Sequence, residues 1–399
     1  MAKNKNSKNS GASLLVGALV AIAAFGFYLL TGIDLLGVTT TEDTTNPQDT
    51  SEVVAPPRTS TGAFTEIQVG QGYGYQGDFW ELYFTAPLNT RDRSQYTNGI
   101  DERVAAAINA TNNTLDVAAF ELNNEVITEA IINAHERGVQ VRVVTDDEHG
   151  LEDDDTTVID LELAGIPIVD DDRSGLMHNK FIIMDGISVW MGSMNFTVNG
   201  VYRNNNNGII LRSRRAVQVY QAEFDEMFAR GEFGVTSDPS NTGNFNQDGV
   251  PIEIYFGAEN NVVAVLEREL GAATESIRFM AFAFTLDEIG DVILTEGNDG
   301  VEIGGIFEVR GSETEFSEMT RLHCAGLDVR QDGNNGTMHH KVFIVDETTV
   351  ITGSFNFSSN ASRSNDENIM IIRDADIAAL YTDEFFRVQS IASRPDVTC

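Results

Sequence analysis

The stretch Met177-His178-Asn179-Lys180-Phe181-Ile182-Ile183-Met184-Asp185 returns later in the same chain as Met338-His339-His340-Lys341-Val342-Phe343-Ile344-Val345-Asp346. Each copy reads His-x-Lys, a short apolar run, then Asp. Each is followed by Gly-Ser-x-Asn-Phe, at Gly192-Ser193-Met194-Asn195-Phe196 and Gly353-Ser354-Phe355-Asn356-Phe357. The offset is constant, since 339 − 178, 346 − 185 and 356 − 195 all equal 161. One polar constellation has been made twice, and self-similarity at this spacing predicts two copies of one structural unit.

The apolar runs at 181–184 and 342–345 predict buried strands, and 189–191 and 350–352 predict a second strand after a turn. Alternate side chains of an extended chain share a face, so His178 and Lys180 point the same way, as do His339 and Lys341. Histidine supplies a nucleophile or a proton donor, lysine a point charge, and Asn195 and Asn356 amide donors; together they suit a phosphate group. The lysine census sharpens this reading. Of five lysines, Lys3, Lys5 and Lys8 lie at the N-terminus, and the rest of the chain holds only Lys180 and Lys341. A chain that otherwise uses arginine yet keeps one lysine per motif is not using it as surface decoration.

With these residues in place, the chain resembles the phospholipase D superfamily, whose members carry paired His-x-Lys-x4-Asp motifs. The resemblance covers roughly residues 76–399 and includes the downstream Ser and Asn of each copy. It implies phosphodiester chemistry in an active site between two halves, with phospholipases D, cardiolipin-synthase-like transferases and nucleases as alternatives. One histidine attacks phosphorus to give a covalent phosphohistidine, and the other protonates the leaving alcohol. Lys180, Lys341, Asn195 and Asn356 hold the non-bridging oxygens, with Ser193 and Ser354 beside them. Asp185 and Asp346 close the motifs at strand ends, where an orienting role suits them better than substrate contact. No metal or cofactor is called for, and two motifs in one chain complete the site as a monomer. The family pattern has a Glu that braces the histidine. Glu367 occupies that position in the second half, whereas subtracting 161 gives Asn206 in the first. A carboxylate favours imidazolium, so the expectation is a protonated His339 as general acid and a neutral His178 as nucleophile.

Outward from the motifs the repeat continues. Trp80-Glu81-Leu82-Tyr83-Phe84 is echoed by Ile252-Glu253-Ile254-Tyr255-Phe256, and Leu115-Asp116-Val117-Ala118-Ala119-Phe120 by Ile277-Arg278-Phe279-Met280-Ala281-Phe282. Helical patterns at 124–137 and 287–296 precede strands at 139–145 and 301–307. Strands alternating with helices predict an α/β fold, two similar layered halves of mixed sheets flanked by helices. The boundaries read as 76–235 for the first half, 236–250 for a linker and 251–399 for the second half. Residues 1–33 read as a cytoplasmic tail and an uncleaved signal anchor. The almost wholly apolar segment 14–33 is long enough to span a bilayer as a transmembrane helix, and the three lysines precede it. Cleavage and secretion are the alternative. Residues 34–75 read as an acidic Thr/Pro-rich tether. The expected location is therefore the cell membrane, with the catalytic body outside.

The net charge of −35 repels polyanions and disfavours nucleic acid as substrate. Three functions stand in order: a phospholipase D-type hydrolase or transphosphatidylase acting on phospholipid, an extracellular metal-independent endonuclease, and a non-catalytic phosphate-binding scaffold. Cys324 and Cys399, the only cysteines, can pair outside the cell if the fold brings them together. His135, His149 and His323 stand outside any motif and are expected at the surface.

Overall fold

The computed structural model describes residues 64–399. The first sheet has nine strands: β1 (Thr65–Ile67), β2 (Tyr73–Gln76), β3 (Trp80–Phe84), β4 (Thr114–Ala119), β5 (Gln140–Thr145), β6 (Ile168–Asp170), β7 (Lys180–Met184), β8 (Ser188–Gly192) and β9 (Asn207–Leu211). Their spatial order is β1-β2-β3-β9-β8-β7-β4-β5-β6. The second sheet holds β10 (Gly243–Gln247), β11 (Val250–Phe256), β12 (Ser276–Ala281), β13 (Glu302–Phe307), β14 (Asp328–Gln331), β15 (Lys341–Val345), β16 (Thr349–Gly353) and β17 (Asn368–Arg373). Its order is β10-β11-β17-β16-β15-β12-β13-β14, so adding eight to each strand number from β3 to β9 reproduces it. Both sheets are mixed: β4, β5 and β6 run parallel, while β7 pairs antiparallel with β4 and β8. The expected duplicated α/β architecture is present.

The strands that carry the motifs are buried on both faces, which is why β7 and β15 read as unbroken apolar runs after their lysines. Two helices lie with the inner faces of the sheets in one shared core: α1 (Arg214–Asp225) and α2 (Ala375–Gln389). Ser213 caps α1 by accepting from the Ala216 N–H, and Asp374 caps α2 by accepting from the Ile377 N–H. Each helix turns a stripe inward, Ala216, Val217, Tyr220 and Phe224 on α1 and Ile377, Ala378, Tyr381 and Phe385 on α2. Burial of each large apolar side chain there contributes about 2–3 kcal/mol. The outer faces are covered separately, giving one further apolar cluster per half.

Two segments differ from expectation. Strands β1 and β2 begin within the segment read as tether, because a Tyr-Gly-Tyr run with no apolar stripe still pairs with β3 through its backbone. The segment read as linker contributes β10, an edge strand antiparallel to β11. The N-terminal helix expected at 14–33 lies outside the described residues. Among those, no helix is long and apolar enough to cross a membrane. Cys324 and Cys399 are joined, with Cα atoms 5.4 Å apart, which ties the C-terminus to the second half.

Candidate active site

His178 and His339 stand just before β7 and β15, on loops that the opposite half holds. The His178 N–H donates to the Asp366 carbonyl at 3.0 Å, and Met177 forms a β-bridge with Asp366. Reciprocally, the His339 N–H donates to the Asn205 carbonyl at 2.9 Å, and Met338 bridges Asn205. Since 366 − 205 is 161, the two contacts are one contact and its pseudo-twofold mate. Each loop is also held within its own half. Asp146 Oδ2 accepts from the Met177 N–H at 3.0 Å, and Glu308 Oε2 from the Met338 N–H at 2.6 Å.

The imidazoles are gripped in the same crossed manner. His178 Nδ1 lies 2.8 Å from Glu367 Oε2, and His339 Nδ1 lies 2.9 Å from Asn206 Oδ1. This corrects the expectation that Glu367 would stand beside His339. The loop before β17 crosses the pseudo-twofold axis, and linear spacing carries no sign of that crossing. The braces are themselves fixed. Ser354 Oγ donates to Glu367 Oε2 at 2.6 Å, and Ser193 Oγ donates to Asn206 Oδ1 at 2.8 Å, while Asn206 Nδ2 donates to the Gly200 carbonyl. Ser193 and Ser354, expected beside the phosphate, thus hydrogen-bond within the site and orient the braces. Gly192 and Gly353 permit this geometry. A Cβ there would fall 2.4 Å and 2.1 Å from the carbonyl oxygens of Asn207 and Asn368.

Lys180 Nζ donates to the His178 carbonyl at 2.5 Å and sits 4.5 Å from the centroid of Phe120. Lys341 Nζ donates to the His339 carbonyl at 2.9 Å and sits 4.6 Å from that of Phe282. The same rings meet the histidines edge-on, with centroids 4.7 Å and 4.8 Å apart. Phe120 and Phe282 went unassigned in the sequence reading, although they end the echoed strands. Asn195 and Asn356 are both buried, and the Oδ1 of each has no hydrogen-bond partner. Asn195 Nδ2 donates to Glu121 Oε2 at 2.7 Å; Glu121 is a second residue that sequence reasoning missed.

Asp185 and Asp346 are elsewhere. They close β7 and β15 at the far ends, about 16 Å of extended chain from the lysines. Asp185 accepts from the backbone N–H groups of Asn112, Asn113 and Thr114, and Asp346 from those of Thr274, Glu275 and Ser276. Both take left-handed backbone conformations, with φ of 52° and 51°. These aspartates tie loops and do not belong among the site residues.

Burial dominates the electrostatics. It drives both motif histidines well below their ordinary range, and the two lysines push the same way. It lowers Lys180 to about 7 against the pull of Glu367, Glu121 and Asp146, and lowers Lys341 well below its usual value. It raises Glu367 to about 8 against Lys180 and the Ser354 hydrogen bond. Burial thus disfavours the charged form of every one of these groups. His149, expected at the surface, is buried with its ring 5.1 Å from Phe120. Oxygens of Asp146, Asp147 and Asp171 lie within 4.8 Å of one another. Asp146 and Asp171 also accept backbone N–H groups there, and Arg173 stands beside Asp171.

The family model described as "Cardiolipin synthase, PLD-like domain" matches residues 104–228 and again 266–389. A mitochondrial cardiolipin hydrolase of Chlamydomonas reinhardtii is 34% identical over 116 residues, 29% of this chain and 52% of that protein. The human mitochondrial cardiolipin hydrolase is 32% identical over 141 residues, 35% of this chain and 55% of that protein. A phospholipase D of Rickettsia prowazekii is 33% identical over 119 residues, 30% of this chain and 58% of that protein. The chain thus spans little more than half the length of these relatives. The crystal structure of a phosphatidylserine synthase from Haemophilus influenzae Rd KW20 aligns over 74% of this chain and 85% of that one. Its TM-score is 0.58 at 13% identity, a likeness of fold. With both halves matched by one family model and the two motif loops held across a pseudo-twofold axis, the chain belongs to the phospholipase D superfamily.

Proposed function

We propose that this protein is a phospholipase D-type phosphodiesterase that cleaves, or transfers to another alcohol, the head group of a phospholipid through a covalent phosphohistidine. The observation that carries this reading is the crossed bracing of His178 and His339. Each Nδ1 is committed to a residue of the opposite half, which leaves each Nε2 for chemistry at one shared site.

His178 is the nucleophile. Its Nε2 forms the bond to phosphorus as the bond to the leaving oxygen breaks, and the ring, still protonated at Nδ1, becomes cationic. Glu367 stabilises that cation as the buried aspartate of a serine protease stabilises its imidazolium. The phosphodiester anion favours the imidazolium form of His339, which keeps its Nδ1 proton on Asn206 and gives its Nε2 proton to the leaving alcohol; the neutral ring then takes a proton at Nε2 from the water or alcohol that attacks the phosphohistidine. The sequence reading gave the same roles, but for the opposite reason, since it set Glu367 beside His339.

The negative charge of a bound phosphodiester favours the protonated forms of Lys180 and Lys341. Binding of inorganic phosphate near pH 8.5 should take up protons, read by calorimetry in buffers of different ionisation enthalpy.

The acidic chain favours lipid over nucleic acid, and an N-terminal anchor would keep the site beside a bilayer. The deciding experiment offers the full-length protein vesicles of phosphatidylcholine, phosphatidylglycerol and cardiolipin, and separately single-stranded DNA, in chelator with a His178→Ala control. Head-group release abolished by the control supports this reading. DNA cleavage without lipid turnover replaces it with the nuclease, and phosphate binding without either leaves the scaffold.

A further inference from the structure

The two halves differ where a residue follows the phenylalanine that packs on the catalytic histidine. After Phe120 the first half places Glu121, and after Phe282 the second places Ala283. Glu121 is 8% exposed and reaches Asn195 Nδ2, but its Oε1 is buried without a hydrogen-bond partner, and so is Asn195 Oδ1. This arrangement opposes phosphate binding. With one Nδ2 hydrogen given to a carboxylate, the amide keeps an unpartnered acceptor, Oδ1, in a site where an anion needs donors. A half-turn of the amide exchanges its two ends without moving another atom.

We propose that Glu121 is a positioning residue that works as a neutral carboxylic acid, giving its proton to Asn195 Oδ1 so that Asn195 Nδ2 faces the phosphate. Asn195 Oδ1 gains the partner it lacks. The remaining Glu121 oxygen becomes a neutral carbonyl, cheaper to bury than half of a carboxylate. Ionisation of Glu121 reverses the amide and withdraws the donor, which makes phosphate affinity on the first-half side pH-dependent. Asn356, with Ala283 in the corresponding place, has no such control.

The surroundings favour the acid. Burial is the largest influence on Glu121 and raises it to about 8; Asp153 and Asp155 push the same way, whereas Lys180 and the Asn195 amide oppose them. In this site a substrate anion adds to the upward push.

The inference rests on the phosphodiesterase reading only in taking this site as a phosphate site, and it is tested without turnover. Inorganic phosphate binding to the full-length protein is measured at about pH 6.5 and about pH 9 for the wild type, Glu121→Gln and Glu121→Ala. Glutamine donates at every pH, so the wild type should lose about tenfold in affinity relative to Glu121→Gln between the two pH values, the worth of one hydrogen bond to a charged group. Glu121→Ala should bind weakly at both. Infrared difference spectra of the wild type against Glu121→Gln should show a protonated carboxyl band that vanishes as pH rises past about 8. A constant affinity ratio, or no such band, overturns the role of Glu121. Phosphate binding that behaves as described in a protein that cleaves no phosphodiester would sink the proposed function and leave this inference standing.

Discussion

One layer behind the motif histidines, the two halves have solved the same packing problem with opposite charge. In the second half, Glu384 of α2 lies 2.9 Å from His340 Nε2 and is paired with Arg387. In the first half, the positions 161 residues earlier are Glu223, Asn179 and Glu226, so both cationic partners are gone. Glu223 is fully buried, and neither its Oε1 nor Asn179 Nδ2 has a hydrogen-bond partner. Burial lifts it well above 4.5, and Glu259, Asp366 and Glu226 lift it further. For Glu384 burial pulls upward too, but Arg387 and His340 outweigh it and hold the group low. Duplication copied the backbone and the apolar core. The charges diverged, and each half now depends differently on pH.

The comparison breaks most visibly at the histidines. His178→Ala and His339→Ala should each lower turnover by about three to four orders of magnitude. Only His339→Ala should accumulate a phosphorylated histidine with an activated ester, detected by mass spectrometry. An adduct on His339 would reverse the assignment of the halves.

A smaller effect separates the two buried glutamates. Glu384→Ala should cost about 3 kcal/mol in denaturant unfolding, because it strands His340 and Arg387 in the core. Glu223→Gln should instead stabilise. A carboxyl raised on folding contributes stability that is complete below its unfolded value of 4.5 and is lost as pH climbs toward the folded one. The advantage of Glu223→Gln over the wild type should therefore grow as pH rises above 4.5. A variant less stable than the wild type at pH 8 would mean that Glu223 is ionised and usefully paired.

The braces give the finest contrast. Glu367→Ala should lower kcat by about 100-fold and Asn206→Ala by about tenfold, since only the former removes a charge from behind the nucleophile. Asn206→Glu makes the halves alike at this position. It should raise the pKa of His339 and move the alkaline limb of the kcat profile upward, and an unmoved limb would separate His339 from that limb.

The sequence made the paired motifs legible because their signal is local: His178, Lys180 and Asn195 recur at one offset, and buried strands announce themselves as apolar runs. Strand and helix positions in the motif-bearing region followed from the same periodicities. Relations across the duplication did not. Nothing in the order of Asn365-Asp366-Glu367 says that the loop reaches the other half, so Glu367 was set beside the wrong histidine. The Ala216, Val217, Tyr220 and Phe224 stripe marks a helix but not its place between two sheets. His149 and Glu121 look like ordinary polar residues until the fold buries them, and β10 lies in a composition that reads as coil.

The crossed backbone contacts limit how the molecule can work. Met177 is stitched to Asp366 and Met338 to Asn205, so a hinge that parted the halves would undo both stitches and release both imidazoles at once. Clamshell breathing is therefore closed to this protein as a way of admitting its substrate. A phosphodiester must reach the paired histidines while the two halves stay joined.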